Sequence, residues 1–294
     1  MTRSALRWTL ILSCLLVLGP LAMAALARVH DADGGRAATL LVNDTPGAAL
    51  AGAALTIVAA GAVGLLGARF FSLNTGCLCA GLVVAWARWG LGTLDGLVRG
   101  ESPGSVLPWL AIENVLAVAA TVALALVMGR VAARYQPSVR PPGAAKPHAG
   151  GLLSSIVRGE GAPVPALVAS GLVGMVALVL ATWLVAATPL RGQTLMAAVA
   201  GTIACGAAAQ LVASSMRCSL TPVTVGLFVL LAAGVSPLVA SIMHGSRLVD
   251  AVFQGRVIGL ALPLSLDWAA GALLGAPIGL SWGGAIVDAR AAEE

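Results

Sequence analysis

Residues 107–128 read LPWLAIENVLAVAATVALALVM, from Leu107 to Met128, an apolar run with one acid, Glu113, and no basic residue. As a helix rising ~1.5 Å per residue, such a run spans the ~30 Å hydrocarbon core of a bilayer. Working outward from it, seven further runs meet the same criterion: Leu10–Ala27, Ala48–Ala68, Asn74–Gly92, Val164–Ala187, Thr194–Met216, Val223–Met243 and Val257–Val287. Composition agrees. The chain is 59% apolar and 10% charged, where soluble domains carry roughly 25% charged residues. We therefore read an all-α, polytopic membrane helix bundle of eight spans. The last run holds Pro263 and Pro277 and is longer than a straight span requires. It predicts a tilted or kinked helix, or an entry segment followed by the span.

Turn chemistry separates the runs. Thr45-Pro46, Thr188-Pro189 and Thr221-Pro222 stand between spans, the last as an N-cap with Pro at the first helical position. Asn74 or Thr75 is the expected cap of the third span. With the N-terminus in the cytoplasm, ten basic residues fall inside and six outside, with Arg88 within a span. This bias places both termini in the cytoplasm, in an inner membrane. The tryptophans fall near span ends, as interfacial indoles do. The first run has two readings. Arg3 and Arg7 before it and Ala25-Leu26-Ala27 after it suit a cleaved signal peptide, and its length also suits a retained helix, which we prefer.

One long polar segment, rich in Pro and basic residues, covers residues 130–161 and reads as a cytoplasmic linker. It separates a first four-helix unit, residues 1–129, from a second, residues 162–294. A shift of 155 residues lays Asp95 to Pro108 on Asp250 to Pro263 with Asp, Gly, Gly, Leu and Pro matched, at the third-to-fourth connection of each unit. Ser72-Leu73 and Ser219-Leu220 align at a shift of 147, so a repeat requires an eight-residue insertion. An even number of spans per copy would make this a parallel 4+4 repeat, related by an axis along the membrane normal.

Glu113 and Asp267 are acids in apolar sequence, each four or five residues past a proline of the matched block. A central charge costs ~2.5–3.5 kcal/mol on insertion scales, so such groups must face protein or water. They are the candidate ion- or proton-binding residues. The bland alternative is that each pairs with an outer-loop Arg. Arg88, Asp95, His244 and Asp250 are supporting polar candidates. Arg88 is expected to snorkel to the interface, or else to pair with Glu113 or Asp95. His244 is either interfacial or a titrating neighbour of Asp250 or Asp267. Gln210 reads as an interhelical hydrogen-bonding residue. Gly271, Gly275, Gly279 and Gly283 follow Asp267 at every fourth position, a ridge for close helix packing. The weaker series Glu113, Ala117, Thr121, Ala125, Gly129 marks the fourth span.

Other classes find little support. The net charge of +5 comes from few, scattered residues and does not form a nucleic-acid surface. The five cysteines lie in or beside apolar runs and read as small buried side chains, not as a disulfide or metal framework. No hydrolase, zinc-protease or P-loop motif appears. No catalytic residue, metal or cofactor is expected. The preferred function is translocation of a small solute or ion coupled to the intramembrane carboxylates. The expected partners are the lipid bilayer and a proton or small cation. The alternative is a non-catalytic structural or accessory subunit, with a membrane-protein partner or a second copy of the chain.

Overall fold

The computed structural model describes residues 2–100, 103–135 and 164–291. Among these the secondary structure is helical, with a single isolated bridge, His30 to Arg36. The long helices are α1 (Arg3–Leu26, with a π-helical stretch at Cys14–Leu18), α2 (Pro46–Phe70), α3 (Leu73–Gly90), α5 (Pro103–Tyr135), α6 (Val164–Val185), α7 (Arg191–Ser215), α8 (Pro222–His244) and α10 (Ser265–Ala291). Two short helices, α4 (Leu94–Gly100) and α9 (Leu248–Phe253), precede α5 and α10. The protein is thus an all-α helical bundle.

Seven of the described helices are long and apolar enough to cross a membrane. The exception among the long helices is α3, whose eighteen residues include Asn74 and Arg88. Its polarity suits its place, because α1, α2 and α10 all pack on it and most of its side chains are buried. By contrast α6 turns Leu172, Val176, Leu180 and Leu184 outward, as a lipid-facing helix does.

Packing rests on small residues, which let backbones approach where lipid supplies no hydrophobic drive. The predicted ridge of α10 lies against α7. A Cβ on Gly271 would meet the Ala198 carbonyl at 2.8 Å, one on Gly275 the Thr202 Cβ at 2.7 Å, and one on Gly283 the Ala207 carbonyl at 2.8 Å. Residue numbers rise together, so α7 and α10 run parallel. On α8, Gly234 receives Val115 and Gly226 receives Val122, so α5 and α8 run antiparallel. Gly81 of α3 receives Leu273 and Leu274 of α10.

Several boundaries differ from expectation. Ser72, not Asn74 or Thr75, caps α3 by accepting from Thr75 N, while Thr221 caps α8 as expected. Thr45 precedes α2, but its hydroxyl accepts from His30 N instead of capping. The last run resolves into an irregular entry, with a 3-10 turn at Gly259–Ala261, followed by α10. Pro277 lies inside α10 without ending it. The first residues of the expected linker belong to α5, which continues to Tyr135, where Arg69 stacks 4.7 Å from the ring centroid. The rest of the linker lies outside the described residues.

Candidate functional site

Three charged side chains are buried together at one end of the bundle: Arg88 of α3 and Asp267 of α10, both 0% exposed, and Glu113 of α5, 4% exposed. Burial decides their chemistry, since an unpaired charge in a low-dielectric interior is too costly to persist.

Asp267 stands in the first turn of α10. Its Oδ2 accepts from Leu264 N at 2.8 Å, a carboxylate reaching back to the helix start as in a capping box. Its Oδ1 lies 2.9 Å from Nε of Arg88. The negative charge also sits at the positive end of the helix dipole. The guanidinium Nη1 donates to the Gly92 carbonyl at 2.7 Å, just past the end of α3. Arg88 therefore does not snorkel, and its partner is neither Glu113 nor Asp95. The side chain starts inside a helix that protein surrounds, and Asp267 is the anion placed against it.

Glu113 holds irregular backbone. Its Oε2 accepts from Leu40 N at 2.8 Å and Leu41 N at 3.0 Å, and its Oε1 accepts from the Ser265 hydroxyl at 2.5 Å. Leu40 and Leu41 belong to the connection between α1 and α2. That connection enters the protein far enough to bury Val29, Ala37, Ala38 and Thr39. Gly92 N donates to Ala37 O at 2.7 Å, and Arg36 Nη1 donates to Trp89 O at 3.3 Å. The connection is thus a roof pinned to α3 and α5. At membrane depth such backbone persists only when protein satisfies its polar groups.

Ser265 and Asp267 lie two residues apart, so the first turn of α10 joins both acids, and Arg88 is within electrostatic reach of Glu113. The Nη2 of Arg88 and Nε1 of the fully buried Trp268 have no hydrogen-bond partner.

The other supporting candidates stand outside this cluster. Asp95 is in the first turn of α4, within electrostatic reach of Arg191. Asp250 is exposed in α9, and no hydrogen bond or ion pair joins His244 to it or to Asp267. Gln210 instead accepts from Leu220 N at 3.0 Å and donates to Ser214 Oγ at 3.1 Å, holding the α7–α8 turn. All five cysteines are buried free thiols. Among the described residues no group of three or more His, Cys, Asp or Glu could hold a metal ion.

Sequence reasoning missed Ser265 and the roof. Ser265 is an ordinary polar residue two positions after a proline, and backbone N–H groups leave no mark in a sequence. The apolar stretch Ala37–Val42 in a connection was the one available signal. Asn114, next to Glu113, was also missed. It is fully buried, and its Nδ2 donates to the Ala233 carbonyl of α8 at 2.9 Å.

Comparison with protein-family models gives no match, and neither do comparisons with curated proteins and with solved structures.

Proposed function

We propose that this integral membrane protein translocates a small solute or ion and that Glu113 and Asp267 carry the proton or cation coupled to that movement. The observation that supports this reading is the shared burial of both carboxylates with Arg88, where α3, α5 and α10 meet beneath a roof of irregular backbone. Ionisable groups inside a membrane bundle are a functional site by default, and non-helical backbone at that depth lines translocation sites in transporters. A proton on Glu113 weakens it as an acceptor for Leu40 and Leu41 N–H. Protonation would then loosen the roof, and deprotonation would draw it shut.

Topology enters the same proposal. The chain crosses an inner membrane eight times, α3 included, with both termini cytoplasmic, so that the cluster faces outward. The antiparallel contacts α2–α3, α3–α10, α5–α8 and α6–α7 and the parallel contact α7–α10 fit strict alternation. Residues 1–129 and 162–294 form a parallel repeat. In support, α3 packs on α10 while α5 packs on α8, and the like elements α5–α10 and α4–α9 touch each other, which is the contact pattern of a two-fold axis between halves.

A pH jump applied to proteoliposomes on a capacitive electrode tests the reading without an identified solute. The expected result is a transient current that Glu113→Gln and Asp267→Asn abolish while both variants elute as the wild type. A wild-type current equal to that of protein-free liposomes overturns it. One observation favours the accessory-subunit alternative: the pocket by Cys77, Thr121 and Ala272, where α3, α5 and α10 come together, measures about 10 Å³, room for one water at most. That alternative expects a stable membrane partner in mild-detergent pull-down and no current.

A further inference from the structure

Pro237 lies inside α8 and has no N–H, so the carbonyl of Ala233, one turn earlier, loses its helical donor. Two side chains converge on that carbonyl. Asn114 of α5 donates Nδ2 to it at 2.9 Å, and the Ser236 hydroxyl donates at 3.3 Å. Asn114 and Ser236 are both 0% exposed. The amide oxygen of Asn114 is itself buried without a hydrogen-bond partner. A fully buried amide that uses its donor and leaves its acceptor empty is unusual, since buried polar atoms normally find partners.

A half-turn of the amide about its terminal bond exchanges the two ends. The Asn114 oxygen would then stand where its nitrogen stood, beside the Ala233 carbonyl and the Ser236 hydroxyl oxygen. Neutral oxygen donors of this kind suit hard cations, not transition metals. With no carboxylate among the three donors, the set suits a single positive charge, since divalent sites draw on carboxylates. We propose that Asn114, Ala233 O and Ser236 form a site for a Na⁺-sized monovalent cation at the proline break of α8. In the described conformer the amide nitrogen occupies the carbonyl, as expected of the ion-free form. The oxygen set is separate from the carboxylates and would bind the ion whether or not protons cross the membrane.

The test is thermal unfolding of the full-length protein in detergent, in NaCl and in choline chloride at equal ionic strength. Binding to the folded state alone raises Tm, here by about 3 °C at a Na⁺ concentration several-fold above Kd. Ser236→Ala should remove the increment. Pro237→Ala should do so too, because it restores the N–H that fills the carbonyl without touching either side chain. Asn114→Asp should keep it, since it retains the oxygen. Equal Tm in the two salts for the wild type overturns the site, as does an increment unchanged in both Ser236→Ala and Pro237→Ala. Should the variants fail to fold, retention of radiosodium by the wild type on desalting, competed by unlabelled Na⁺ and not by choline, decides the matter alone. Loss of the sodium effect with the pH-jump current intact counts against this site only. The reverse result counts against proton coupling only.

Discussion

The same Leu-Pro dipeptide, with an acid shortly after it, stands inside one helix and just ahead of another. In α5 the proline, Pro108, is inside the helix, which begins at Pro103. In α10 the helix begins at Ser265, two residues after Pro263. The acids account for part of the contrast. Asp267 turns back to Leu264 N and so marks a helix start, while Glu113 reaches away from its own helix to the roof and to Ser265. An acid near a proline therefore does not define a helix terminus; the donors within reach do.

The sharpest way to break this comparison is to unbalance one acid. Arg88→Met leaves Asp267 charged and unpaired, and should cost about 3–5 kcal/mol of stability in denaturant unfolding of the detergent-solubilised protein. The double variant Arg88→Met/Asp267→Leu should recover most of that loss, because a buried pair is replaced by apolar volume. Next in size is the ridge below Asp267. Gly275→Ala forces a methyl against Thr202 and Val199 and should cost about 1–3 kcal/mol. Gly284→Ala, on the same helix with open space around it, should be neutral or slightly stabilising by the same measurement. Glu113→Gln keeps the shape and one acceptor oxygen, and should cost about 1–2 kcal/mol. Its clearer sign is faster thiol labelling of a cysteine placed at Leu41. The smallest expected loss is at the other end, where Thr221→Ala removes a cap worth about 1 kcal/mol. Equal losses from Gly275→Ala and Gly284→Ala would show that α10 is held by something other than close contact with α7.

The bundle was legible because composition leaves few alternatives: apolar runs of this length have one stable form in lipid. The acids were legible because a charge in such a run needs a reason to be there. The glycine ridge was legible because its period matches a helix face. Arg88 was misread because the sequence shows that a residue lies near a span end but not what surrounds that span. Its partner comes from a helix 179 positions further along the chain. The roof was illegible because its polar contacts are made by backbone. Asn114 was overlooked although two signs were present, an amide in an apolar run and a proline inside another span.

The parallel contact of α7 with α10 has a mechanical consequence. The glycines of α10 set its backbone against that of α7 from Gly271 to Gly283, leaving little side chain between them to absorb a shift. At its near end this rod carries Asp267. At its far end it meets Gln210, whose amide fastens the turn leading into α8. A tug on Arg88's partner would accordingly arrive at Leu220, at the opposite end of that contact, much as force passes along a strut.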